Sequence, residues 1–363
     1  MNELHDYDFD LPPDLIAQHP VSHRADARLL VVDRRQETID HYHVRDLPDL
    51  LAAGDCLVLN DSRVVPARLV GYRTATGGRW EGLFLESDPN HCWRVLAKTR
   101  GKMATEESVT LLDRLGDDAV ELVLIQREES GRWLMRVKSD ESALALLERV
   151  GRIPLPHYIR GGEALPGDTE RYQTVYARRP GSVAAPTAGL HFTSDLLQRL
   201  TERQISQTMV TLHVGLATFR PIIAQRIEQH PMHQEWYEIS ESAAQHMNHC
   251  RSSGGRIVAV GSTSVRALES AMSDSTVSES AVSDSTELVG KVRAGSGQTD
   301  LFIRPPYSFR AVDALMTNFH LPRTSLLVMV RYFGGDQLIQ RAYQEAIDHG
   351  YRFYSYGDSM LIL

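Results

Sequence analysis

The chain has 363 residues, 42% of them hydrophobic and 24% charged, and its formal net charge is −8. That length exceeds what one core usually supports and predicts about two domains, while the apolar fraction is that of an ordinary globular protein. The excess of negative charge excludes indiscriminate nucleic-acid binding by bulk electrostatics, although the 39 Lys and Arg side chains can still line a local groove.

The opening stretch MNELHDYDFDLPPDL is acidic and has no apolar h-region, and no run approaches about 18 uninterrupted apolar residues. A cytoplasmic protein that does not enter a membrane is therefore expected. Cys56, Cys92 and Cys250 are odd in number, far apart and without CxxC spacing, which predicts isolated thiols rather than a disulfide framework.

Residues 29–32 read as a short buried strand, and GDCLVLN (54–60) as another that stops at the polar run Asn60, Asp61, Ser62, Arg63. From about 65 to 138 the character changes to short alternating segments: RWEGLFLE (79–86), CWRVLAKT (92–99), SVTLLD (108–113), AVELVLIQ (119–126) and RWLMRVK (132–138). Turn residues separate them, which predicts a small antiparallel barrel. Beyond 153 helix and strand alternate again. Thr193, Ser194 and Asp195 can cap a helix reaching to about 203, an extended run covers 208–214, and RIVAV (256–260) is a strand entering Gly261. Helices are predicted over 262–272 and over 336–348, the latter with Leu338, Ile339, Ala342, Ala346 and Ile347 on its apolar face.

The expected fold class is α/β: a discontinuous main α/β domain, residues 1–64 and 154–363, with an inserted small antiparallel β-barrel domain at 65–153. The near-duplicates SAMSDST (270–276) and SAVSDST (280–286) predict a flexible surface loop, because a Ser-rich acidic tract buries too little apolar surface to order itself.

The stretch MTNFHLPRTSLLVMV (316–330) puts Asn318, His320, Pro322, Arg323, Thr324 and Ser325 between apolar runs. Each polar group buried there without a partner would cost about 1–3 kcal/mol, so a ligand is expected at the junction. Other polar clusters end apolar runs in the same way: NDSRVVPARL (60–69), AAPTAGLHFT (184–193), LHVGLATFRPI (212–222), MHQEWYEI (232–239), VGSTSVRALE (260–269) and YRFYSYGDSMLI (351–362).

Together with TNFHLP, with DFDLPPDLIAQHP (8–20) and with RYQTVYA (171–177), these clusters make the chain resemble, over nearly its whole length, the S-adenosylmethionine:tRNA ribosyltransferase-isomerases of queuosine biosynthesis. It departs at Ala217 and Pro306, where the family more often has Gly, and in the duplicated tract. The resemblance implies transfer and isomerisation of the ribosyl part of S-adenosylmethionine onto the aminomethyl group of preQ1 at a tRNA wobble position. Epoxyqueuosine would form, with adenine and methionine released. S-adenosylmethionine is then a co-substrate, and no metal is required. The implied partner is a tRNA carrying preQ1, with no obligate protein partner and a monomeric chain.

Such a reaction needs a base for the proton beside the sulfonium. The catalytic candidates are His320, Glu235, Asp358 and His191, with His320 or Glu235 as proton acceptor. Substrate-binding candidates are Asn60, Asp61, Arg63, Thr187, His213, Thr218, His233, Thr263, Arg266, Asn318 and Tyr356. Gly261, Ser262 and Thr263, at a helix start, suit the methionine carboxylate or form an ordinary cap. Arg266 either holds an anion or makes a surface pair with Glu269, three residues on. Arg24, Arg28, Lys98, Arg100, Lys102, Arg178, Arg179, Arg304 and Arg310 are candidates for RNA phosphates, with solvated charge as the plainer alternative. Two rivals remain: a metal-dependent hydrolase built on His230, His233, Glu235, His246 and His249, although Pro231 breaks their alignment, and a non-catalytic RNA-binding module.

Overall fold

A computed structural model describes residues 3–215, 226–272 and 290–363, with only the backbone described at Ser130. Thr218 and the duplicated tract from 273 onward lie outside the described residues. The chain forms two compact units, Met1–Arg63 with Gln173–Leu363, and Val64–Tyr172. The expected α/β class with an inserted antiparallel barrel is the architecture observed.

The second unit holds the barrel. Its strands are β5 (Arg68–Arg73), β6 (Arg79–Ser87), β7 (Cys92–Thr99), β8 (Ser108–Leu112), β9 (Asp118–Arg127) and β10 (Arg132–Val137), closed in the order β10-β7-β6-β5-β8-β9. Alternation sets which side chains face in: Trp80, Trp93, Val95, Val109, Leu111 and Met135 are buried while their neighbours along the strand are more exposed. Closure leaves no unpaired strand edge for another chain to extend. Helix α2 (Ala143–Val150) follows, its start capped by the Ser142 hydroxyl, which accepts from the Ala145 N–H.

The first unit is built on a nine-stranded mixed sheet. In chain order its strands are β1 (Arg28–Asp33), β2 (Thr38–His43), β3 (Cys56–Asn60), β12 (Ser206–Leu212), β13 (Glu235–Ile239), β14 (Ile257–Val260), β15 (Gly295–Thr299), β16 (Ala314–Asn318) and β17 (Ser359–Ile362). Two short strands, β4 (Ser62–Val64) and β11 (Arg179–Ser182), lie outside both sheets. The spatial order is β15-β13-β12-β3-β14-β16-β17-β1-β2, with β12, β3, β14 and β16 running parallel and β17 set antiparallel beside β16. Continuous apolar runs such as CLVLN and IVAV are what strands covered on both faces require, and every residue of β3 and β14 is buried.

Helices α4 (Ser194–Glu202), α5 (Glu241–Ser252), α6 (Ser262–Ser270), α7 (Ser325–Gly334) and α8 (Asp336–Asp348) accompany this sheet, along with the single turn α1 (Leu47–Leu50), while the single turn α3 (Asp168–Arg171) belongs to the barrel unit. One core cluster joins Leu29, Val31, Leu57, Leu59, Val258, Val260, Met316 and Leu361 of the sheet to Phe192, Leu196 and Leu200. The Thr193 hydroxyl caps α4 by accepting from the Leu196 N–H. The Thr324 hydroxyl does the same for α7, accepting from Leu327.

Candidate active site at the sheet crest

The carboxyl ends of β12, β3, β14 and β16 all reach one edge of the sheet, and the antiparallel strands β13 and β17 begin there. This crest is where open α/β sheets place ligands, because loops leaving the strands diverge there and expose backbone groups. Asn60, His213, Gly261, Asn318, Asp358 and Glu235 all stand at it, each at or next to a strand end.

Asn318, the last residue of β16, is the hub. Its amide nitrogen lies 3.2 Å from the Tyr354 carbonyl oxygen and 3.4 Å from that of Asp358, which fixes the nitrogen on that side because both partners only accept. The same nitrogen is 3.2 Å from His191 Nε2, so Nε2 accepts and the proton of this imidazole sits on Nδ1. The amide oxygen in turn accepts from the Thr187 hydroxyl at 2.8 Å. His191 belongs to the short 3₁₀ turn Thr187–His191, and burial pushes its pKa down to about 3, with Arg352 and Arg24 adding to the effect.

Two residues beyond Asn318, His320 is also buried, and burial lowers its pKa to about 3. Its Nε2 lies 2.8 Å from the Thr317 hydroxyl, a group able to donate or accept, and its backbone N–H donates to the Tyr343 hydroxyl at 3.0 Å. Both imidazoles are therefore neutral at neutral pH.

Glu235 opens β13 and forms a buried ion pair with Arg266 of α6. Its Oε1 accepts from the Gly215 N–H at 2.9 Å, and Arg266 also donates to the Leu301 and Thr299 carbonyls. Of the two readings of Arg266, the surface pair with Glu269 is not the one found, since its ion-pair partner is Glu235. Glu269 is buried and accepts from the Tyr307 hydroxyl and from the backbone N–H groups of Arg310 and Ala311, since α6 is covered on that side too.

Asn60 joins β3 to β12: its side chain donates to the Leu212 carbonyl and accepts from the Leu212 and Ser62 N–H groups. Asp61 accepts from the Thr211 hydroxyl at 2.6 Å and from Arg178 at 2.9 Å. His213 stacks on Trp236 with ring centroids 5.0 Å apart, and burial lowers its pKa.

Four buried polar atoms on this crest have no hydrogen-bond partner among the described residues: Ser62 Oγ after β3, His213 Nδ1 after β12, Thr263 Oγ1 after β14 and Ser359 Oγ, whose residue pairs with Asn318. Native interiors rarely leave such groups unmade, so their alignment along adjacent strand ends marks a place for a polar ligand. Helix α6 adds to it. Gly261 makes the strand-to-helix turn at φ 88°, and no side chain caps the first turn, so its N–H groups are available to an anion.

Of the remaining sequence-derived candidates, Thr187 is half-buried and Tyr356 buried near the crest, whereas Arg63 and His233 are exposed. Asp358 serves the backbone: its carboxylate accepts from the N–H groups of Arg28 at 3.0 Å and Arg352 at 2.9 Å. Arg178 and Arg179 pair with Asp61 and Glu238, and Arg28 stacks on Tyr351. Ser62, Ser359, Thr317 and Tyr343 are not among the sequence-derived site candidates. Ser62, Thr317 and Ser359 sit inside the quoted motifs, and a polar residue next to a strand end is the usable signal.

The family described as "Queuosine biosynthesis protein" matches residues 4–362. The chain is 48% identical over 357 residues to the S-adenosylmethionine:tRNA ribosyltransferase-isomerase of Gloeobacter violaceus, covering 98% of this chain and 95% of that protein. It is 47% identical over 360 residues to the protein of the same name from Symbiobacterium thermophilum, covering 99% of each. Among solved structures it is similar to an S-adenosylmethionine tRNA ribosyltransferase from Thermotoga maritima, with a TM-score of 0.54 and 32% identity, covering 99% of this chain and 100% of that one.

Proposed function

The chain belongs to the queuosine biosynthesis protein family, and from that premise we propose that it is an S-adenosylmethionine:tRNA ribosyltransferase-isomerase acting at the sheet crest. It transfers and isomerises the ribosyl moiety of S-adenosylmethionine onto the aminomethyl group of preQ1 at the wobble position of tRNA. The products are epoxyqueuosine-tRNA, adenine and methionine. S-adenosylmethionine is the co-substrate, no metal takes part, and the enzyme works as a monomer in the cytoplasm. The observation that carries the reading is the row of unpartnered polar atoms at the crest of a chain whose full-length relatives bear that name.

The residues divide the work by what their partners leave open. The uncapped start of α6 and the Thr263 hydroxyl suit the methionine carboxylate, because N–H groups at a helix start favour negative charge. Glu235 is committed to Arg266 and Gly215, and Asp358 to two backbone N–H groups, so both position the site rather than take protons. His191 spends its lone pair on Asn318. His320 remains as the proton acceptor, because its hydroxyl partner on Thr317 can reverse roles and because the neutral imidazole is the form that accepts.

No helix among the described residues is long and apolar enough to cross a membrane. The test is incubation of the enzyme with S-adenosylmethionine and a preQ1-bearing anticodon stem-loop. Stoichiometric free adenine and methionine are expected, and S-adenosylhomocysteine in their place would mean methyl transfer and overturn the reading.

A further inference from the structure

Away from the crest chemistry, His41 of edge strand β2, Glu345 of the last turn of α8 and His349, the residue that ends that helix, bring three potential ligand atoms within 4.8 Å of one another. His41 Nε2 is 3.3 Å and His349 Nδ1 3.2 Å from the same Glu345 oxygen. Those separations are long for charge-assisted hydrogen bonds, which run about 2.7–2.9 Å. They match the spacing of two ligands on one tetrahedral ion, about 3.4 Å apart when each bond is about 2.1 Å.

The surroundings orient the set. His41 Nδ1 lies 2.9 Å from the buried Tyr351 hydroxyl, which can hold that nitrogen protonated and leave the Nε2 lone pair facing Glu345. The two imidazole rings lie side by side with centroids 4.6 Å apart and planes tilted by 41°. Side-chain exposures of 34% for His41, 39% for Glu345 and 49% for His349 leave an entry path and a solvent-facing fourth position. His349 Nδ1 also lies 3.0 Å from the Glu345 carbonyl, a contact the ring gives up when it turns toward an ion. His230, His233, His246 and His249 do not form such a group with Glu235 among the described residues.

We propose that His41, Glu345 and His349 bind one borderline divalent ion of the zinc type, clamping β2 to the end of α8. Two imidazoles and one carboxylate suit zinc, whereas magnesium and calcium prefer all-oxygen sets. The ion adds to the folded state only, so it raises stability by mass action without entering the chemistry at the crest.

The test is calorimetric titration of the chelator-washed full-length protein with zinc chloride, with magnesium chloride as control. Wild-type protein is expected to take up one zinc per chain and no magnesium. His41→Ala and His349→Ala should each lose tenfold or more in affinity, and Tyr351→Phe about tenfold through the lost orienting contact. Glu345→Gln provides a further variant should either histidine variant fold poorly, and circular dichroism without zinc checks that all of them are native. Failure of wild-type protein to bind zinc, or variants that bind it as tightly as wild type, would overturn the proposal.

Discussion

Arg266 and Glu235, 31 positions apart in sequence, close a fully buried ion pair that ties the start of β13 to the middle of α6 beside the crest. Removing one partner strands the other charge in a place with little water. Arg266→Met or Glu235→Gln is therefore expected to lower stability by about 3–5 kcal/mol. The double variant should lose clearly less than the sum, because neither charge is then left alone. Urea denaturation of the four proteins measures this, and additive losses would show that the pair is not coupled.

Asn318 uses both ends of its amide on four partners. Asn318→Asp turns the donor toward the Tyr354 and Asp358 carbonyls into another acceptor, so it should destabilise more than Asn318→Ala, which leaves unmet groups costing about 1–3 kcal/mol. Both should abolish adenine release. An active Asn318→Asp enzyme would contradict the hub role.

Gly189 touches the buried Tyr176 hydroxyl: a Cβ at this position would come within 2.1 Å of it. That hydroxyl has no hydrogen-bond partner among the described residues. Gly189→Ala is expected to cost about 1–3 kcal/mol through overpacking, and Tyr176→Phe should recover part of it by removing the oxygen in the way. Thermal melts of the single and double variants decide the matter.

The two buried imidazoles set an acid limit. In the unfolded chain His191 and His320 titrate near 6.5, whereas in the folded protein burial holds both at about 3. Between these values the unfolded chain binds protons that the folded protein refuses. Stability therefore falls as pH drops through that window, by up to about 1.4 kcal/mol per pH unit for each group, and neither contributes a slope above it. His320→Gln should make the decline shallower in urea melts between pH 7 and 4. If His320 is the proton acceptor, the wild-type rate should also show no acid limb near pH 6.5, and His320→Gln should lose adenine release.

Binding of the tRNA substrate should weaken steeply with salt if arginines hold its phosphates, each released counterion adding about 0.9 to the slope on duplex regions. Filter binding of an anticodon stem-loop between 50 and 200 mM salt reads the slope, and a flat profile would remove electrostatic docking from the picture.

The barrel was legible because its period of two is local: each of β6 to β10 coincides closely with an alternating segment of the sequence. Helix α8 was legible for the same reason at period 3.6. The run from Met316 to Val330 was harder, because it holds the end of β16, a loop and the first half of α7. Only the Thr324 cap separates the last two. Strand β2 was missed because TIDHYH is largely exposed on a sheet edge, where burial imposes little pattern.

At the site, sequence placed polar residues at strand ends but not their partners, which come from distant segments. Asp358 looked like a candidate acid until the Arg28 N–H, 330 residues away, was found on it. Arg266 read from sequence as an anion holder or as half of a helical surface pair, and the partner it has is Glu235 of β13.

The place of β17 between β16 and β1 has a consequence during synthesis. Among the described residues the β1-β2 hairpin joins the rest of its sheet through residues 359–362 alone, so a strand made among the first emerges long before its neighbour exists. On the ribosome that hairpin waits with one edge open through the translation of more than three hundred residues. Pairings 330 residues apart, such as Leu29 with Ser359, thus fall on the step that completes the sheet, which should make that step slow and leave the waiting edge in need of a chaperone.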